Sequence, residues 1–372
     1  MQAPQKRPAP TDDSSENQEK IPRLLLAPEP TEYNYDMYSF CVQEEHQAAY
    51  EFFLEHGFVV LRQILIPGCA GAFEREFFET LEKASGGKFR RNDKSTWTNE
   101  NMPYDHQGMN NFSRGFVGMY HLKGQWIART EPKLRRFCEI LLKTDNIWPS
   151  IDRMGFMRPG SKNRTSEYFW HWDQNPLKDP GFCRIQGLVA VKDCPIEVGG
   201  FQVIPKSHKQ DFLHYGSKFA RESSGPASKG SKSNVIRSDL VNIPVGEEGK
   251  ALWSRGIKVP LRQGDVVLWD SRTAHGNFPN TSNTDYRLVS YLTYGRAPSD
   301  PQTRKKYIEI RRKSFETGKI EKSNRDIFFA GFMPARWANS KPERNPIPNH
   351  EEIPWDCVLD SVKAGLMEEL VL

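Results

Sequence analysis

The chain has no apolar run long enough to cross a bilayer, which takes about 20 residues; its longest, such as Val266-Val267-Leu268-Trp269, are the length of a strand. It has no apolar leader behind Met1-Gln2-Ala3-Pro4, and Leu370-Val371-Leu372 is not a peroxisomal address. Cysteine is scarce: six in 372 residues (Cys41, Cys69, Cys138, Cys183, Cys194, Cys357), none spaced Cys-x-x-Cys, which argues against structural zinc and reads as reduced thiols. A charge excess of either sign is also missing. The formal net charge of +5 neither requires nor excludes an anionic partner, and no nucleic acid or membrane partner is expected. The predicted location is the cytoplasm. Lys6-Arg7 with Lys20 to Arg23 makes the nucleus the alternative, although short basic pairs in a tail are ordinarily just solvated. The glycosylation-type triplets at Asn111, Asn163 and Asn280 are then chance matches.

At 37% hydrophobic and 27% charged residues, the composition is that of a soluble globular protein. Residues 1–30, rich in Pro, Ser, Lys and Glu, read as a disordered tail, and 31–372 as one domain. Its N-terminal part, 43–145, is predicted helical. Ala49, Phe52, Phe53 and His56 recur at helical spacing with Gly57 as a stop, and Phe58-Val59-Val60-Leu61 follows as a strand. Pro67-Gly68 reads as a break before a helix carrying Phe73, Phe77 and Leu81, ended by Gly86-Gly87; a third helix covers Lys133 to Leu142. From 151 to 296 the pattern changes to short strands: Met154 to Met157, Ile185 to Val191, Gly200 to Ile204, Val266 to Trp269 and Arg287 to Tyr294. Many short strands divided by turn residues predict a mainly β sandwich or barrel with flanking helices. Ser217 to Ser238 reads as a long loop, Arg304 to Lys322 as a charged helix and Leu359 to Leu370 as a closing amphipathic helix, within an extension covering 297–372.

The chemistry sits in two segments. In Tyr168-Phe169-Trp170-His171-Trp172-Asp173-Gln174-Asn175-Pro176, residues two apart on extended backbone point to one side, so His171 and Asp173 can face one metal. Two histidines and a carboxylate on one face of an octahedron leave the remaining positions open, which suits iron(II) that must bind a cosubstrate and dioxygen (O2). A lone His-x-Asp is equally a turn histidine hydrogen-bonded by its neighbour. The second segment favours the metal reading: Gln263-Gly264-Asp265 makes a tight turn, Val266 to Trp269 a buried strand, and His275 follows just past the strand's end. Twelve residues later Arg287 opens the next strand. A buried guanidinium needs a carboxylate partner, and the distal carboxylate of 2-oxoglutarate is one.

Residues from about Gln43 to Gly295 resemble the phytanoyl-CoA dioxygenase family in three blocks: His171-x-Asp173; Gly199-Gly200-Phe201-Gln202-Val203-Ile204-Pro205-Lys206-Ser207-His208; and Gly264-Asp265 through His275 to Arg287. The resemblance implies a double-stranded β-helix (jelly-roll, cupin-like) core and an oxygenase using Fe(II), 2-oxoglutarate and O2 on a small-molecule or acyl substrate. It implies His171, Asp173 and His275 as metal ligands and Arg287 as the cosubstrate's carboxylate partner, with Asn277, Trp172 and Met154 as secondary cosubstrate contacts. The chain departs from the pattern at Leu188, where some members carry tryptophan; Gln186, on the same face, is expected to take over a polar contact. It departs again at Lys206, in place of glycine.

His208 reads as a turn cap rather than a ligand, His106, His121 and His214 as structural or exposed, and the basic run Arg304-Lys305-Lys306 with Arg311-Arg312-Lys313 as a solvated face. Trp97, Trp126, Trp148, Phe169 and Trp170 are candidates for apolar pocket walls, a role that competes with simple core packing. Four rivals remain. An inactive β-barrel binding protein would not need the full ligand set, and a halogenase would need glycine or alanine at 173. A cupin-like isomerase would not need Arg287, whereas a desaturase or ring-forming oxidase would use the same residues.

Overall fold

The switch from helical to strand periodicity becomes two facing sheets, with helices packed on the outer side of one. The computed structural model describes residues 33–102, 115–160, 169–223 and 239–317. Its helices are α1 (Tyr35–Tyr38), α2 (His46–His56), α3 (Pro67–Ala84), α4 (Lys123–Arg129), α5 (Pro132–Leu142), α6 (Ser217–Ser223), α7 (Glu247–Trp253) and α8 (Pro301–Thr317). Its strands are β1 (Ser39–Phe40), β2 (Phe58–Leu61), β3 (Phe116–Val117), β4 (Ile147–Pro149), β5 (Met154–Met157), β6 (His171–Trp172) and β7 (Arg184–Ala190). They continue with β8 (Gly200–Val203), β9 (Val241–Asn242), β10 (Ile257–Val259), β11 (Val266–Asp270), β12 (His275–Phe278) and β13 (Arg287–Arg296). The larger sheet runs β1-β2-β11-β7-β13-β5-β3, with β4 also on β13, and the smaller runs β10-β8-β12-β6-β9. Only the β1–β2 pair is parallel among these. This is the double-stranded β-helix expected from the sequence.

Local chemistry sets the boundaries. Gly57 caps α2 at φ +79°, and its N–H donates to the Phe53 carbonyl at 2.8 Å. A Cβ there would stand 2.4 Å from His208 Nδ1 and 2.5 Å from Thr273 Oγ1, so both the backbone angle and the space require glycine. The turn delivers β2, buried along its whole length, against β11 in antiparallel register. On α3, Phe73, Phe77 and Leu81 are all buried against the outer face of the larger sheet. Each contributes about 2 kcal/mol of burial. His208 is buried beneath this corner with Nε2 3.2 Å from the Leu54 carbonyl, a structural role as expected.

Four readings change. Pro67 is not a break but opens α3, because a proline in the first helical turn has no N–H that needs a partner. The segment read as helical also supplies β3, with β1 and β4 just outside its two ends, all three too short for periodicity to show. The first residues of the expected 217–238 loop form α6, the remainder lying outside the described residues. The expected solvated helix starts at Pro301; Arg304 is seated over the Trp148 ring at 5.2 Å and donates to Asn146 Oδ1 at 2.7 Å. The tail at 1–30, Arg311 to Lys313, the closing helix near Leu359, His106, Asn111, Asn163 and Cys357 fall outside the described residues or side chains. The other five cysteines are free thiols.

The turn ahead of β11 is the tightest test of this frame. Asp265 accepts from Tyr35 Oη at 2.5 Å, from the Arg262 N–H at 2.9 Å and from the Gln63 N–H at 3.1 Å. Gly264, at φ +86°, has room for no Cβ, which would lie 2.0 Å from the Leu65 carbonyl oxygen. Gly264→Ala is expected to cost about 3 kcal/mol, combining positive-φ strain with a backbone clash. Urea unfolding measures it, and a midpoint equal to wild type would contradict the assignment.

Candidate metal centre

Strand pairing brings the ligands together. In the smaller sheet β6 and β12 are antiparallel, with His171 opposite His275. Asp173 follows β6 two residues after His171 and reaches the same side, while Trp172 between them turns away. His171 Nε2 lies 3.6 Å from Asp173 Oδ1, and His275 Nε2 lies 3.4 Å from Asp173 Oδ2. The imidazole centroids are 4.5 Å apart at 50°. Two donors each about 2.1 Å from one ion can be no more than about 4.2 Å apart, and both carboxylate–imidazole distances meet that limit. Among the described residues this is the one group of three side chains that could hold a metal. His275 comes just past the end of β11, as expected, and is the first residue of β12.

The protonation states also suit a cation. His275 Nδ1 is 2.9 Å from the Thr273 carbonyl, which can only accept, so Nδ1 carries the proton and Nε2 offers its lone pair to the centre. Burial pushes the His171 imidazole down to about 4, leaving it neutral at physiological pH. Burial acts to raise the Asp173 carboxyl, but His171, His275 and the Gln186 amide outweigh it and hold the group well below the usual carboxylate range. Two strands of the larger sheet back this carboxylate. Gln186 on β7 donates from Nε2 to Asp173 Oδ2 at 2.9 Å and accepts at Oε1 from the Trp269 indole N–H at 3.0 Å. Gln186 and Trp269 face each other in the β7–β11 register.

A cavity of about 110 Å³ opens on the triad between the sheets, walled by Phe116, Phe169, Phe201, Leu240, Trp269 and Tyr291. Asn277 and Gln186 add polar groups, and Arg153 enters with its guanidinium 4.3 Å over the Phe116 ring and 3.9 Å from Asp152. Arg287 is 1% exposed and stands one layer behind, with Nη1 donating to Tyr291 Oη at 3.4 Å. Asn277 Nδ2 donates to the same hydroxyl at 3.2 Å. Arg287 Nη2 is buried without a hydrogen-bond partner among the described residues. A buried cationic N–H in that position fits a carboxylate arriving through the cavity.

The sequence-predicted residues therefore divide. His171, Asp173 and His275 converge, and Arg287 and Asn277 meet through Tyr291. Trp172 packs with Phe212, Phe219 and Val241 in a separate hydrophobic cluster, and Met154 lies in the core beneath the helices. Neither borders the cavity. Gln186 makes the polar contact expected of it, while Leu188 is buried away from the cavity. Of the five candidate wall aromatics only Phe169 borders the cavity; Trp97, Trp126, Trp148 and Trp170 are buried elsewhere. Tyr291 was missed, although its place four residues after Arg287 on one strand puts both on the same face. Trp269 was read only as part of a buried strand.

The chain is similar to several known proteins. Residues 53–289 match the phytanoyl-CoA dioxygenase (PhyH) family. The chain is 26% identical over 223 residues to the Ava biosynthesis cluster protein O of Aspergillus versicolor, covering 60% of this chain and 69% of that protein. It is 23% identical over 267 residues to a Dictyostelium discoideum protein named as a candidate phytanoyl-CoA dioxygenase, covering 63% and 71%. Among solved structures, EctD from S. alaskensis with 2-oxoglutarate and 5-hydroxyectoine aligns at 17% identity and a TM-score of 0.45, over 72% of this chain and 79% of that one. With the family match spanning most of its length, the chain belongs to the phytanoyl-CoA dioxygenase family of non-haem iron oxygenases.

Proposed function

We propose that this chain hydroxylates a C–H bond of a small molecule or acyl substrate, using Fe(II) held by His171, Asp173 and His275 and 2-oxoglutarate held at its far end by Arg287. The observation that carries this reading is the pairing of a metal-ready triad with a buried guanidinium nitrogen of Arg287 that has no partner among the described residues and stands behind Tyr291 of the cavity wall. When bound, iron(II) and 2-oxoglutarate would supply the oxidation with O2, one oxygen atom going into succinate as the oxo acid loses CO2 and the other to the substrate.

The protein's own residues bind, orient and exclude. His171, Asp173 and His275 would hold the ion from one side, which would leave room on it for cosubstrate and O2. Arg287, with Tyr291 and Asn277 beside it, orients the distal carboxylate through charge-assisted hydrogen bonds. Phe201 and Trp269 flank His275, with ring centroids at 6.1 and 5.0 Å, and keep that side dry. Asp173 leaves no place for a halide ligand, which disfavours a halogenase. The largely aromatic cavity favours a substrate with an apolar body, and a relative named for a biosynthesis cluster fits a small-molecule target. Desaturation or ring closure would use the same residues, and product analysis separates these outcomes. No helix among the described residues is long and apolar enough to cross a membrane.

Anaerobic Fe(II) with 2-oxoglutarate should give a weak visible charge-transfer band, and admission of air should release succinate. His171→Ala should abolish the band. Arg287→Gln should leave metal binding intact but weaken 2-oxoglutarate about 10- to 100-fold, the worth of a charge-assisted pair. An unchanged band in His171→Ala would sink the oxygenase reading.

The His171 shift makes a separate prediction for metal-free protein. Its folded pKa lies below the ordinary 6.5, so between pH 6.5 and about 4 the unfolded chain binds a proton that the native state does not. Stability should therefore fall with falling pH across that window, by up to about 1.4 kcal/mol per unit from this group. His171→Gln should flatten that limb in urea titrations run with chelator. Identical slopes in the two proteins would contradict the assignment.

A further inference from the structure

Asp173 carries two oxygens, and they are not equivalent. Oδ2 accepts the Gln186 Nε2 hydrogen bond at 2.9 Å, whereas no comparable donor meets Oδ1 among the described contacts. An oxygen already accepting an amide N–H has less lone-pair density to offer a cation, so Oδ1 is the oxygen left for the metal. The donor is itself fixed. An amide can turn over and exchange its oxygen for its nitrogen, but the Trp269 indole N–H can only donate, and it points at Gln186 Oε1 at 3.0 Å. With Oε1 committed to Trp269, Nε2 must face Asp173. Gln186 and Trp269 are both buried, at 4% and 3% exposed. Gln186 and Trp269 also sit on adjacent strands of the larger sheet, so the chain Trp269–Gln186–Asp173 ties that sheet to the smaller one that carries the histidines.

We infer that Gln186, locked in one amide orientation by Trp269, is a positioning residue that makes Asp173 a one-oxygen ligand. This rests on the metal reading above and extends it. A carboxylate free to chelate through both oxygens would take up a coordination position. Held through Oδ2, it leaves that position open for cosubstrate or O2. The sequence alone could not pair these residues, because Gln186 lies 13 residues from Asp173 and Trp269 lies 83 from Gln186.

The test uses full-length apo protein and Co(II) under nitrogen, read by calorimetry and by the visible ligand-field spectrum. Gln186→Met keeps the side-chain volume and removes the donor. It should weaken Co(II) binding about 10- to 100-fold, the usual range for loss of a group that orients a ligand, and should change the ligand-field bands. Trp269→Phe keeps a ring beside His275 but releases the amide; it should weaken binding about 3-fold, the worth of one ordinary hydrogen bond. The double variant should bind no more weakly than Gln186→Met, because the tryptophan acts only through the glutamine. Apo melting curves show whether each variant folds, and if Gln186→Met does not, Trp269→Phe and its spectrum decide the matter. Binding by folded Gln186→Met within about twofold of wild type with an unchanged spectrum would overturn the inference while leaving the metal site standing. So would fully additive losses in the double variant. His171→Ala should lose Co(II) altogether; retention there, or no uptake by wild type, would overturn the metal reading and this inference with it.

Discussion

The pairing of His171 with His275 across β6 and β12 is the constraint on which the site depends. β6 is only two residues long, yet that one register places both imidazoles on the inner face and lets the next inward position, Asp173, complete the set. A slip of one residue would turn every side chain to the opposite face and put Trp172 where a ligand belongs. Two features resist the slip. Trp172 is fully buried on the outer side among Phe212, Phe219 and Val241, so exchanging the faces would expose a large apolar surface. Gly276, next to His275, has no room for a side chain, since a Cβ there would lie 2.1 Å from the Phe169 carbonyl oxygen. The two ligand-bearing strands approach as closely as backbones allow, and glycine is the residue that permits it.

Around that pairing the protein buries charge that a simple core would avoid. An ionised Asp173 faces two imidazoles, and a guanidinium at Arg287 has one N–H without a partner among the described residues. Each arrangement is unfavourable by itself and becomes favourable when a cation and a dicarboxylate occupy the space between them. Binding free energy then stabilises the native state. The rest of the molecule is conventionally packed: α2, α3 and α5 cover the larger sheet with Phe53, Phe73, Phe77 and Phe137, all almost completely buried.

Much of this was legible in the residues because it is written locally. Gly57 stops a helix, Gly264-Asp265 makes a turn, and His171-x-Asp173 shares a face through strand alternation. The spacing from His275 to Arg287 carried the rest of the site. What could not be read depends on register between distant strands. The Gln186–Trp269 partnership exists because β7 and β11 align those two positions, and no periodicity announces it. Trp172 and Met154 do not border the cavity. Both were assigned to the cosubstrate by family likeness, yet alternation about His171 already turns Trp172 outward, and Met154 faces the helical layer. Tyr291 was within reach of the same argument and joins Arg287 to Asn277.

The most direct measurement is an anaerobic crystal structure of the full chain with Fe(II) and 2-oxoglutarate. The account predicts one ion bound by His171 Nε2, His275 Nε2 and a single Asp173 oxygen, with the distal carboxylate of the oxo acid on Arg287 and the Tyr291 hydroxyl beside it. An ion bound elsewhere, or a 2-oxoglutarate whose carboxylate turns to another cation such as Arg153 and leaves Arg287 without a partner, would contradict it.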